Sequence, residues 1–314
     1  MTRNFIKARE YIVVFAIALA MIITGSFVDL GFSKAVYSYT ETNLFGVIMS
    51  GLAEAPTYLT MSFAGLLLII SCKELPGFKK VISIILGAAA IAFGAVMTFD
   101  TFTNIAEFYR TEDYEKLIIA IGIVFDVLMH GLISLYIFKK CLRKNRDNMR
   151  MIAIALLSII VLELLLATIL KFVFSRPRPR YLLEGGIGVE QEFRNWWELQ
   201  PFRCNELADI KSEVLGGIHV SSSNWKSCPS GHTATAIAMM FILPICALLN
   251  DDWKNNNKFR IASIYIGLLW GLLTAISRIY AGAHFLSDVG MGLLVGSLSG
   301  LLVQLLLPKI LKTE

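Results

Sequence analysis

Apolar residues in this chain come in long blocks rather than alternating or recurring at helical spacing. Eight blocks stand out, roughly 11–30, 57–73, 80–99, 116–138, 151–174, 233–249, 261–277 and 287–307. A helix rises about 1.5 Å per residue and a bilayer core is about 30 Å thick, so blocks of about 18 or more residues with few charges mark membrane-crossing helices. The pattern predicts an all-α fold, a polytopic membrane helix bundle of about eight transmembrane helices. The first block is too long for a signal-peptide core and has no small-residue cleavage site, so it reads as a true span. Segment 42–56 is apolar but short and broken by glycine, and reads as an interfacial or re-entrant piece. Along the eighth block Gly292, Gly296 and Gly300 recur every fourth residue. That spacing predicts a close-packing stripe between membrane helices, not a nucleotide loop.

Composition agrees with the blocks. Of 314 residues, 56% are hydrophobic and 17% charged. Mean hydropathy is +0.64, which excludes an ordinary soluble domain. The net charge of +5 reports basic loops, and no nucleic-acid partner is implied. Seventeen of the 29 lysines and arginines fall in the N-terminus, 73–80, 139–150, 250–260 and the tail. Eight alternating spans put all five segments on one side, which the positive-inside rule makes cytoplasmic, with both termini inside. The other basic residues lie outside, several within motifs, and cations kept against that rule need a reason such as anion binding. The largest external segment, 180–231, carries Trp196, Trp197, Phe202 and Trp225, expected at the headgroup level. The chain divides into an N-terminal transmembrane region, 1–110, with accessory spans, and a region 111–314 that holds the polar motifs.

Three such motifs face the external side. Lys171 is followed after six residues by Arg178-Pro179 at the end of the fifth span. Pro229-Ser230-Gly231-His232 opens the sixth. Ser277-Arg278, then His284 and Asp288, link the seventh and eighth. Arginine's planar fork matches phosphate oxygens in pairs, whereas lysine is a point charge. Ser230-Gly231 precedes a helix, whose free N–H groups and dipole favour an anion, and glycine permits close approach. Lys171, Arg178, Ser230, Gly231 and Arg278 thus form a candidate phosphate-binding set. His284 and Asp288 are four apart, on one helix face, and a carboxylate on one ring nitrogen would leave the other as a nucleophile. His232 suits a general acid for the leaving oxygen. The histidines are 52 positions apart, room for one helical hairpin that returns the chain to the same face.

The pattern K-x6-RP, PSGH and SR-x5-H-x3-D resembles the type-2 phosphatidic acid phosphatase superfamily, in motif order, over Lys171 to Asp288. The resemblance implies a six-helix phosphatase core with two extra N-terminal spans. It also implies a phosphohistidine formed on His284, oriented by Asp288 and with His232 protonating the leaving group. No metal or other cofactor belongs to that scheme. Cys228 stands where an aromatic is common before PSGH. The expected activity is hydrolysis of a lipid phosphate or lipid pyrophosphate at the external face of the cell membrane, with membrane lipids as surroundings. A lipid phosphotransferase and a sugar-phosphate phosphatase are alternatives on the same scaffold, and a lipid-binding or flipping protein is the non-enzymatic one. The intact His232, His284 and Asp288 argue against the last. A channel does not explain three convergent motifs, and a vanadate-dependent haloperoxidase does not fit eight spans.

Other polar residues have plainer readings. Arg176 and Arg180 fall outside the motif register and read as headgroup-gripping cations. Asp126 and His130, four apart in mid-span, and Glu163 read as interhelical polar clasps, with Glu163 able to support the site from about two turns below Lys171. His219 reads as solvated. Cys204 and Cys228 are the two external cysteines; a disulfide between them would tether the loop before Pro229, and two unpaired thiols are the alternative.

Overall fold

The computed structural model describes residues 6–37, 44–106, 112–141, 146–184, 189–250, 253 and 256–310. It is a helical bundle, with no strand among the described residues. In chain order the helices are α1 (Ala8–Val36), α2 (Leu44–Leu52), α3 (Ala55–Ser71), α4 (Gly77–Ala106), α5 (Glu112–Tyr136), α6 (Arg146–Phe174), α7 (Pro179–Glu184), α8 (Cys204–Val214), α9 (Gly231–Ile237), α10 (Met239–Ala247), α11 (Asn257–Tyr280) and α12 (Leu286–Ile310).

Seven helical stretches among the described residues are long and apolar enough to cross a membrane. They match seven of the eight predicted blocks, and the chain is a multi-pass membrane protein. The remaining block, 233–249, is the pair α9–α10, a shorter apolar stretch from Gly231 to Ala247. At 1.5 Å per residue it is about 25 Å long. The segment 42–56 contains α2, which a turn at Ala53-Glu54 joins to α3.

The bundle is built around α6, α9 and α12. Helix α1 lies along α12, α3 packs on α4 and α6, and α5 joins through α4. The glycine stripe works as predicted. A Cβ on Gly292 would sit 2.6 Å from the Ser230 carbonyl, and Gly296 and Gly300 face Ala234 and Phe241 just as closely. Missing Cβ atoms are what let α12 lie against the backbone of α9. The polar clasps also form. His130 on α5 contacts Asp126 Oδ1 (3.2 Å) and Ser62 Oγ on α3 (2.9 Å). Buried Glu163 accepts from the Thr235 hydroxyl of α9 at 3.2 Å, so it braces α9 from below.

In segment 180–231 one expectation is corrected, and the alternative left open for the two cysteines is decided. Trp225 is not exposed to its surroundings as an interfacial aromatic would be. It is 4% exposed and packs on Tyr181, centroids 4.8 Å apart, because α7 and α8 fold over it. Cys204 and Cys228 are both buried and unpaired. Cys204 Sγ lies 3.0 Å from Ser175 Oγ, while burial and the neighbouring Asp288 carboxylate push the Cys228 thiol well above its usual range. Trp197 and Phe202 are exposed, Trp196 donates to Ser26 Oγ (2.9 Å), and His219 is exposed as expected.

Candidate active site

The three motif segments converge at one end of the bundle, stitched by backbone hydrogen bonds. Ser227 N–H donates to the Arg176 carbonyl (3.0 Å), Arg180 N–H to that of Gly282 (2.7 Å) and Ser230 N–H to that of Asp288 (3.0 Å). Side chains borne on these segments therefore share one rigid frame.

His284 is delivered by a helix end. At the C-terminus of α11, Ala283 N–H donates to the Arg278 carbonyl (3.0 Å) and Gly282 N–H to that of Ile279 (2.9 Å). This paired closure needs a left-handed residue, and Gly282, with φ +59°, supplies it. Two residues later, His284 Nδ1–H donates to the Ser227 carbonyl at 2.5 Å. A carbonyl only accepts, so the proton sits on Nδ1 and the lone pair on Nε2. Burial, then the charges of Arg178, Lys171 and His232, push the imidazole well below the usual histidine range. A neutral ring with its Nε2 lone pair available is the form a nucleophile would require.

Asp288 does not hold His284 as expected. Its Oδ2 accepts from the Phe285 N–H (2.9 Å) and the Ser227 hydroxyl (2.6 Å), and its Oδ1 from Arg176 (2.6 Å). The cause is local: Asp288 is the third residue of α12, where a carboxylate reaches back to the N–H before the helix. It fixes Ser227, and the Ser227 carbonyl fixes the ring.

Ser230 caps α9, its Oγ accepting from the Thr233 hydroxyl at 2.9 Å. A Cβ on Gly231 would stand 2.8 Å from Lys171 Nζ, so the ammonium lies close against the head of the helix. His232 Nε2–H donates to the Ser50 carbonyl (2.9 Å), and its Nδ1 lies 3.7 Å from Glu54 Oε1. Arg278, Lys171 and Arg178 are the cations near enough to act on it. Arg178 bonds the carbonyls of Ser223 (2.8 Å) and Ala283 (3.1 Å), which spends two of its five N–H groups. Arg278 bonds Ser277 Oγ (3.3 Å) and the Gly46 carbonyl of α2. All eight predicted site residues thus gather in one basin, with Lys171, Arg178 and His232 half-buried and the other five buried.

A family model for the PAP2 superfamily matches residues 152–312, about half of the chain. The chain belongs to the PAP2 superfamily. It is 25% identical over 149 residues to a Drosophila melanogaster protein named "Putative phosphatidate phosphatase", an alignment covering 46% of this chain and 38% of that relative. The chain therefore spans well under half the length of that curated relative. No solved structure matches it.

Three residues outside the motif register also stand against these segments. Arg176, read from sequence as a headgroup cation, is instead 2% exposed. It bonds Asp288 Oδ1 (2.6 Å), Ser287 Oγ (2.8 Å) and Asp29 Oδ2 on α1 (2.9 Å), with Phe285 stacked on it, 4.2 Å from the guanidinium carbon to the ring centroid. A buried guanidinium is tolerated only when paired, and two carboxylates pair this one. Asp29 and Glu54 are the others, and both lie outside the matched PAP2 region. Each had a sequence signal, a lone acid within an apolar block, where ionisable residues are functional candidates. Arg180 lies beside Tyr37 and Glu184.

Proposed function

We propose that the protein is a membrane phosphatase that hydrolyses a lipid phosphomonoester or pyrophosphate at the external face, through a phosphohistidine on His284. The observation that carries this is the bond from His284 Nδ1–H to the Ser227 carbonyl, which leaves the Nε2 lone pair available near His232 and the cations Lys171, Arg178 and Arg278. Nε2 attacks phosphorus as the bond to the lipid oxygen breaks, and His232 gives that oxygen a proton. Water then attacks the phosphohistidine, His232 takes a proton from it, and phosphate leaves with both histidines restored. Lys171, Arg178, Arg278 and the N–H groups heading α9 neutralise the equatorial oxygens. Their charge fills the role often given to a metal, so turnover is expected without one.

A lipid substrate is favoured over a sugar phosphate by an apolar cavity of about 570 Å³. Its lining runs from Leu52, Ala55 and Pro56, flanking Glu54, to Trp253 and Phe259 at the other end of the bundle. A lipid chain fits such a wall, and the relative's printed name points the same way. The external face is supported by helix direction: the motifs end α6 and begin α9, whereas the basic segments 139–150 and 250–260 lie at the opposite ends of α6 and α11.

The test uses purified protein with a panel of lipid and sugar phosphates. His284→Ala is expected to abolish turnover while the protein remains folded, and rapid quenching of the wild type should trap an acid-labile, alkali-stable phosphoprotein. EDTA should leave the rate unchanged and vanadate should inhibit. Retained turnover in His284→Ala would remove the mechanism.

A further inference from the structure

Helix α2 and the turn after it are pinned onto the reaction basin from outside the matched family region. Ser50 takes the Nε2–H of His232 (2.9 Å), Gly46 takes a bond from Arg278, and the Ala53 carbonyl accepts from Trp270 of α11 (3.0 Å). The next residue is Glu54. Its Oε1 stands 3.7 Å from His232 Nδ1, and its Oε2 accepts from the Tyr58 hydroxyl one turn on, at 3.2 Å. The carboxylate is 17% exposed, so its environment is mostly protein. Nε2 of His232 is therefore bonded to a carbonyl, while a carboxyl group faces Nδ1 from just beyond hydrogen-bond distance.

This arrangement bears on how His232 acts as an acid. With Nε2–H committed to Ser50, the proton it donates has to reside on Nδ1, and the ring carrying both protons is a cation. Lys171, Arg178 and Arg278 oppose a fourth positive charge nearby. Something negative on the Nδ1 side has to offset them while the leaving oxygen is still esterified. We propose that Glu54 is a positioning residue for the proton donor: its carboxylate orients the Nδ1 edge of His232 and balances the ring's charge until the leaving oxygen takes the proton. The proposal rests on the phosphatase reading above. Glu54 does not touch the phosphorus and transfers nothing itself. Because a carboxylate repels a phosphate dianion, its loss should not weaken substrate binding.

The test exploits leaving groups. Dodecyl phosphate leaves as an alkoxide that needs a proton, whereas 4-nitrophenyl phosphate leaves as a stable anion that does not. General acid catalysis is worth about 10² to 10⁴ in rate, and a residue supporting the acid should carry part of it. In the full-length protein, Glu54→Gln is expected to lower kcat/KM for dodecyl phosphate roughly ten- to a hundredfold, with KM not raised. For 4-nitrophenyl phosphate it should change kcat/KM less than about threefold, and Glu54→Asp should recover part of the loss. Tyr58→Phe, which frees Oε2, gives the same bias more weakly and serves if Glu54→Gln does not fold. Equal losses on both substrates, or no loss on either, overturn the role of Glu54. His232→Ala separates the two readings. If it shows no leaving-group bias, the assignment of His232 as the acid fails and Glu54 falls with it. If it shows the bias and Glu54→Gln does not, only Glu54 fails.

Discussion

In the proposed mechanism His284 would owe its reactivity to two ordinary features, a glycine-closed helix end and a backbone carbonyl. Its depressed basicity has a direct consequence for pH. A buried imidazole among cations stays neutral until the medium falls well below the ordinary histidine value near 6.5. The free-enzyme profile of kcat/KM should therefore stay high as pH falls through 6.5, and its acid limb should lie below that value. An acid limb centred at or above 6.5, in a titration of the purified enzyme, would contradict a neutral buried nucleophile. At this scale the motif residues were legible because each is spelled by spacing and chemistry together. Arg176 was not, because its register offers no sign that Asp29, 147 positions away, will pair with it. Asp288 was legible as important and misread in its contact, since four-residue spacing puts it on the right face without saying which donors reach it first. Ser227 and Phe285 did.

The elements that build the site are held by absence of side chain as much as by its presence. Gly292 lies opposite the Ser230 carbonyl, a backbone atom that cannot swing aside, and Thr233 Cβ is 3.0 Å from the same point. Overpacking of this kind costs about 1–3 kcal/mol. Gly292→Ala should thus lower the unfolding temperature in detergent and, by displacing the cap of α9, reduce turnover more than the folded fraction alone accounts for. Gly31, with open space around it, is the control, and Gly31→Ala should leave both measurements near wild type. A Gly292→Ala protein as stable and active as the control would show that α12 and α9 have room to spare. Hydrophobic blocks made these helices legible, and the four-residue glycine spacing named the face. The short α9–α10 pair was harder to bound, because apolar pattern alone does not reveal that the chain turns into the basin at Gly231. The role of α2 was legible only as a short apolar piece, since its contributions to the site are the carbonyls of Gly46 and Ser50, which no side-chain pattern records.

At the scale of the whole molecule, charge and site chemistry divide between the two ends of the bundle. Arg146 bonds Glu74 (2.9 Å) and Arg260 approaches Glu10 (3.5 Å) at one end, while the phosphate cations gather at the other. In the orientation proposed above from the positive-inside rule, the first end is cytoplasmic and the basin would open outside, toward lipids of the outer leaflet. Cysteine labelling in intact cells can read this directly, because Cys72, Cys141, Cys204 and Cys228 are buried and Cys246 is half-buried, giving a quiet background. His219, exposed in the segment that follows α8, and Lys80, exposed at the start of α4, are suitable reporters. His219→Cys is expected to react with a membrane-impermeant maleimide on intact cells, and Lys80→Cys only after permeabilisation. The native thiols should react only once the protein is denatured, without any reductant, since none is held in a disulfide. The reverse labelling order would place the basin inside and move the substrate to the inner leaflet. The residues of the basin would keep their geometry in that case, but the lipids able to reach Glu54, His232 and His284 would be a different set.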